Sequence, residues 1–150
     1  MIFVDTAAFY ALVDDRDPNH VRARDTLQRL RAADVLLLTH EYVVVETTAL
    51  VQRRLGPGAL RRFVDDLLPL AEIAWVDEIL HAEAREALLA AGRRSVSLVD
   101  WTSFLVMRRH GVQRAFTFDP NFGGQGFETL PWSGTAAEAG AMSRVQETKR

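Results

Sequence analysis

Short continuous apolar runs alternate along this chain with longer stretches whose apolar residues recur at helical spacing. Ile2-Phe3-Val4 reads as a short buried strand, and residues 6–13 follow it at helical spacing. The polar run Asp14-Asp15-Arg16-Asp17-Pro18-Asn19 is a turn. A helix then covers about 20–31, with Val21, Leu27 and Leu30 on one side. The continuous apolar run 35–38 has the signature of a strand covered on both faces. Thr39 can cap a helix over 40–55, stopped by Gly56-Pro57-Gly58. Val43-Val44-Val45 is β-branched and would also suit a strand, but Tyr42, Val45, Ala49 and Gln52 continue at helical spacing.

A second helix is expected over 59–68, ended by Pro69, and a strand over 73–76. Residues 78–91 are helical, with Ile79, Ala82, Leu88 and Leu89 apolar and Gly92 as a cap. A helix over 97–110, a strand over 115–118 and a short last strand over 127–130, held by Pro131-Trp132, complete the pattern. Strands alternating with helices predict an α/β fold: a parallel sheet with helices on both faces.

The length of 150 residues favours one domain with a proper core. Residues 133–150 are rich in Ala, Gly, Ser and charge, which sets a folded domain at 1–132 and a C-terminal tail or arm at 133–150. The apolar fraction of 48% and charged fraction of 25% are those of a soluble globular protein. The absence of cysteine excludes disulfides, thiolate metal sites and cysteine nucleophiles, and suits a reducing cytosol. No leader peptide or membrane-length apolar run stands out, so a cytoplasmic protein with no membrane association is expected.

A net charge of −2 argues against nucleic-acid binding driven by overall charge, so the placement of the cations matters more. All but Lys149 of the 18 are Arg, with pairs at Arg53-Arg54, Arg61-Arg62, Arg93-Arg94 and Arg108-Arg109. Arg binds phosphate bidentately and stacks on bases, although such pairs also suit the solvated ends of helices.

Four carboxylates carry the candidate chemistry. Asp5 leaves the first strand, and Asp119 follows the strand-like run at 115–118. Ligands of open α/β sheets bind beyond the carboxyl ends of strands. Glu46 lies in the helix over 40–55, and Asp100 lies near the start of the helix over 97–110. Brought together they would carry a charge of about −4, which needs protons or cations to be stable. Hard oxygen ligands at this density suit Mg²⁺ or Mn²⁺. Each acid also has a structural reading. Asp5 suits a helix cap, Glu46 an outward-facing position, Asp100 a capping box with Ser97, and Asp119 an Asp-Pro turn. The ordered set of strand end, helix, helix start and strand end is harder to explain in that way.

Val4-Asp5-Thr6, the lone Glu46, Ser97-Leu98-Val99-Asp100 and Thr117-Phe118-Asp119-Pro120-Asn121-Phe122 resemble the four motif regions of PIN-domain ribonucleases. Size and order are similar to the toxin half of VapBC-type toxin–antitoxin modules. The resemblance implies a three-layer α/β/α fold around a parallel sheet of four to five strands. It implies a Mg²⁺-dependent endoribonuclease in which Mn²⁺ can substitute, an antitoxin protein as partner, and a homodimer. By position Asp5, Glu46, Asp100 and Asp119 match the catalytic quartet, with Asp5, Asp100 and Asp119 as metal ligands. Thr6, Ser97 and Thr117 match the hydroxyl positions beside the acids, and Asn121 is either a supporting donor or a turn residue.

The expected reaction is hydrolysis of an RNA phosphodiester by metal-activated water, with Glu46 ligating through water or acting as a base. It leaves a 5′-phosphate. Tyr10, Trp101 and Phe122 are candidates for stacking on bases, although such residues also build cores. His20, His40, His81 and His110 have no zinc or acid–base spacing and read as surface or helix-end residues. The competing reading is a catalytically weak module that binds RNA or an antitoxin. Phosphotransfer on a similar sheet is disfavoured, because Asp5-Thr6-Ala7 lacks the second acid of an Asp-x-Asp motif.

Overall fold

The computed structural model describes residues 1–131; Trp132 and the expected tail at 133–150 lie outside the described residues. Five parallel strands form one sheet, β1 (Ile2–Val4), β2 (Leu37–His40), β3 (Ala71–Ala74), β4 (Arg114–Phe116) and β5 (Glu128–Leu130), in the order β3-β2-β1-β4-β5. The helices α1 (Thr6–Val13), α2 (His20–Ala32), α3 (Glu41–Leu55), α4 (Pro57–Arg62), α5 (Glu78–Ala91), α6 (Leu98–Arg109) and the single turn α7 (Asn121–Gly124) connect the strands. The arrangement is the expected three-layer α/β/α fold.

The strand order decides where a site can form. The chain leaves β1 towards β2 and β3, then returns to lay β4 on the other flank of β1. Phe3 pairs with Leu38 on one side and with Ala115 on the other. The direction of winding therefore reverses between β1 and β4, and a crevice opens beyond their carboxyl ends. Asp5 and Asp119 follow those two strands.

The core is built from the central strands and the helix faces laid on them. Ile2, Phe3, Val4, Phe63, Phe104, Met107, Phe116 and Phe122 are almost fully buried. Phe122 is therefore a core residue, packed near Phe3 and Phe104. Trp101 is half-buried against the same cluster.

Several local expectations are displaced. The second strand runs Leu37–His40, two residues beyond the apolar run, and Leu36 is 65% exposed. Polar Thr39 and His40 can enter the sheet because each finds a buried partner. The Thr39 hydroxyl donates to the Val4 carbonyl at 3.0 Å, and His40 Nε2 meets Ser103 Oγ at 2.8 Å. The cap of α3 is accordingly His40, whose Nδ1 accepts from Val43 N, and not Thr39. On α3 the buried line is Val43, Thr47 and Val51, whereas Val45 is 65% exposed. On α2 it is Ala23, Thr26 and Leu30, with Val21 exposed. The segment after α4 widens to π-type turns over Phe63–Leu67 and tightens to a 3₁₀ turn over Leu68–Leu70. Pro69 lies inside that turn and does not end it, because a first-turn position needs no N–H donor. The helix over Glu78–Ala91 and its left-handed Gly92 cap are as expected.

Candidate active site

The crevice beyond β1 and β4 is a cavity of about 390 Å³, and all four candidate acids line it: Asp5, Glu46, Asp100 and Asp119. Thr6 and Ser97 line it as well. Each acid is placed by a separate piece of local structure.

Asp5 occupies the N-cap position of α1, yet its side chain makes no capping bond. Its carboxylate instead accepts a hydrogen bond at Oδ2 from the Thr117 hydroxyl at 2.9 Å. The same Thr117 Oγ1 accepts from the backbone N–H of Asp119 at 2.9 Å. One hydroxyl thus ties the ends of β1 and β4 together. Asp119 accepts at Oδ1 from Asn121 N, a short turn that fixes its carboxylate. The Asn121 side chain reaches the Ser95 carbonyl, so this residue supports Asp119 through its backbone and anchors the loop before α6 through its amide.

Asp100 and Ser97 form a reciprocal capping box at the start of α6. Ser97 N donates to Asp100 Oδ2 at 2.8 Å, and Asp100 N donates to Ser97 Oγ at 3.1 Å. The structural reading of Asp100 holds, and the box that starts the helix also orients a carboxylate lining the cavity. Glu46 is half-buried on α3, and Leu50 and Arg54 line the cavity with it at helical spacing. Its neighbours in space are therefore set by the face of α3 that turns away from the core.

Electrostatics links the acids. Burial pushes the Asp5 carboxyl from 3.8 up to about 7, opposed by the Thr117 bond and reinforced by Asp100 and Asp119. Asp100 is raised as well, first by burial and then, against its Ser97 bonds, by Asp119 and Glu46. Asp5 feels the charges of Asp100 and Asp119, and Asp100 those of Asp119 and Glu46, so a cation in the cavity would favour the ionised forms of Asp5 and Asp100.

The donors fit a hydrated divalent ion. They are oxygens only, and the Thr6 hydroxyl, buried and without a partner among the described residues, sits in the cavity wall beside Asp5. Among the described residues no three His, Asp or Glu side chains already converge on one point. A divalent ion here would be held by one or two carboxylates and by waters. Fixing one oxygen of Asp5, Asp100 and Asp119 through a chain donor leaves each with acceptor capacity.

Other residues line the cavity that were not singled out as candidates from the sequence. Asp17 and Asn19 line it from the turn between α1 and α2, and Phe118 lines it from the end of β4. Of the four Arg pairs only Arg54 contributes, and of the three aromatic candidates only Tyr10. Continuing the helical spacing from Glu46 would have singled out Arg54. His40 is a helix-end residue as expected but a fully buried one. The Ser103 hydroxyl donates to Val99 O, so it accepts from His40 Nε2–H, and Nδ1 is left to accept from Val43 N. Burial holds this imidazole down at about 3, so it stays neutral.

A switch-point crevice lined by four carboxylates sits in an α/β domain whose residues 2–127 match the PIN-domain family signature. The chain belongs to the PIN-domain family, in its VapC-type branch. It is 36% identical over 129 residues to the 23S rRNA-specific endonuclease VapC20 of Mycobacterium tuberculosis, covering 85% of this chain and 95% of that one. The crystal structure of M. tuberculosis VapC20, described as a sarcin–ricin loop cleaving toxin, superposes with a TM-score of 0.74 at 35% identity over 85% of this chain and 96% of that chain. FitAcB from Neisseria gonorrhoeae shares the fold, with a TM-score of 0.61 at 22% identity over 86% of this chain and 96% of that chain. PIN-domain nucleases are in general dependent on divalent metal. No helix among the described residues is long and apolar enough to cross a membrane.

Proposed function

We propose that this protein is a Mg²⁺-dependent endoribonuclease, with Mn²⁺ able to substitute, that acts as the toxin of a toxin–antitoxin pair. The observation that carries the reading is the convergence of Asp5, Glu46, Asp100 and Asp119 on one cavity at the switch point of the sheet. Identity to VapC20 over nearly its whole length makes the sarcin–ricin loop of 23S rRNA the first substrate to test.

Asp5, Asp100 and Asp119 would hold the ion, which supplies Lewis acidity towards the scissile phosphate and an activated water as nucleophile. Thr117 keeps the Asp5 carboxylate turned to the cavity and lowers its proton affinity. Ser97 does the same for Asp100 through the capping box. Glu46, without a bond or ion pair to another described residue, lines the cavity and would serve as the general base. In this reading the RNA strand enters the crevice while Asp5 remains in its buried wall.

An antitoxin segment laid over the acidic cavity would block it. A homodimer is the expected assembly, and the exposed Val45, Trp75, Ile79 and Leu89 supply apolar surface for it. Residues 1–132 are the catalytic unit in this reading, and the cytoplasm is the compartment.

The test is incubation with a sarcin–ricin loop RNA and Mg²⁺ or Mn²⁺, beside Asp5→Asn and a chelator control, with sequencing of the cut ends. Defined cuts carrying 5′-phosphates, absent from both controls, are expected. Cuts that survive Asp5→Asn would overturn the site. No cutting by folded, antitoxin-free protein would favour the binding-module reading.

A further inference from the structure

Two arginines lie over aromatic rings of the acidic cavity's wall, and one of them, Arg54, lines the cavity itself. The Arg54 guanidinium lies 5.7 Å from the centre of the Tyr10 ring, and the Arg22 guanidinium lies 5.8 Å from the centre of the Phe118 ring. Tyr10 and Phe118 both line the cavity. Both rings are half-buried and both arginines are exposed. Arg54 ends α3 and Arg22 begins α2, and α1 packs against both helices. Neither guanidinium forms an ion pair with a carboxylate among the described residues, although the cavity beside them is lined by five acids, Asp17 included. Eight residues separate Glu46 from Arg54 on the same face of α3, about 12 Å along the axis, which is too far for a direct pair.

We infer that Arg54 on Tyr10 and Arg22 on Phe118 form a two-point clamp for the RNA strand, gripping phosphates on either side of the one to be cut. This rests on the ribonuclease reading. An acidic cavity repels a polyanion everywhere except at the bound cation, so the flanking phosphates need cations of their own. A guanidinium held by one face on an aromatic ring keeps its N–H edge free for bidentate phosphate contact. Its other face remains available to an unstacked base. Lysine in these places would supply charge without the fork or the plane.

The experiment measures binding of a fluorescein-labelled sarcin–ricin loop hairpin by anisotropy in Mg²⁺. The parent is the Asp100→Asn protein, which should bind without cutting. Arg54→Ala and Arg22→Ala are added to it singly, with Arg54→Lys and Arg22→Lys as conservative partners. Wild-type cleavage of the same hairpin is run alongside, and melting curves establish that every variant is folded. Each Ala variant is expected to weaken binding about tenfold and to lower the slope of log affinity against log salt by about one. Each Lys variant should recover the slope but only part of the affinity. If the wild type cuts the hairpin while both folded Ala variants bind it like the parent, the clamp is overturned and the ribonuclease reading stands. Lower stability at unchanged affinity would make the arginines internal counter-ions and would also overturn it. A wild type that neither cuts nor binds the hairpin overturns both.

Discussion

At Asp5, burial and the neighbouring Asp100 and Asp119 push in one direction, and the Thr117 hydroxyl pushes back. With the folded-state value raised from 3.8 to about 7, the metal-free folded protein holds a proton that the unfolded chain releases. The stability this group lends is complete below 3.8 and is lost as pH rises through about 7. Asp5→Asn keeps an acceptor for Thr117 and removes the charge. In chelator the variant is expected to melt above the wild type near pH 8, by at most about 4 kcal/mol of stability, with the gain shrinking towards pH 4. In the proposed role of Asp5 as a metal ligand, cleavage should fall at least about 100-fold. A variant that gains nothing at high pH would show that Asp5 is not desolvated. Thr117→Val deletes the donor to Asp5 and the acceptor of Asp119 N in one step. It should cost about 1–3 kcal/mol in chemical denaturation, and about 10–100-fold in cleavage rate.

At the scale of elements, two helix starts respond differently to mutation. Ser97→Ala removes the side-chain half of the α6 capping box but leaves the Ser97 N–H that holds Asp100. A stability loss of about 1 kcal/mol is expected. Activity should fall less than in Thr117→Val; an equal fall would mean that the hydroxyl itself meets substrate or ion. His40, at the start of α3, is instead a core element between Phe3 and Ser103. His40→Ala should cost about 2–4 kcal/mol by thermal melting, because it opens space and leaves the Val43 N–H and Ser103 without their partner. Its pH signature opposes that of Asp5. The folded value is depressed to about 3, so its contribution is present above about 6.5 and is lost as pH falls towards 3.

For the whole molecule, a site that is over-charged without a cation makes stability depend on one. Near pH 8, saturating Mg²⁺ at about 100 times its dissociation constant should add about 2.7 kcal/mol, or roughly 5–10 °C in Tm for a chain of this size. The gain should shrink in Asp5→Asn; an equal gain in both proteins would move the ion elsewhere. Truncation after residue 132 is expected to leave melting and cleavage unchanged, since among the described residues the last strand ends at Leu130 and the family signature ends at 127. Loss of folding would assign the last residues to the domain.

The sequence by itself determined the order and type of most elements and the four acids, because the signals are local. An apolar run, a Ser-x-x-Asp start, a glycine stop and a polar residue at a strand end each act within a few residues. Only the tertiary structure decided which faces are inside. On α3 the apparent stripe of Tyr42, Val45, Ala49 and Gln52 competes with Val43, Thr47 and Val51, and packing chose the second. Placing β4 beside β1 likewise follows from no local pattern, yet it brings Thr117 to Asp5 across 112 residues. Burial of His40 and the raised proton affinity of Asp5 come from the same cause. Desolvation is a property of everything packed around a group, and no short stretch of chain contains it.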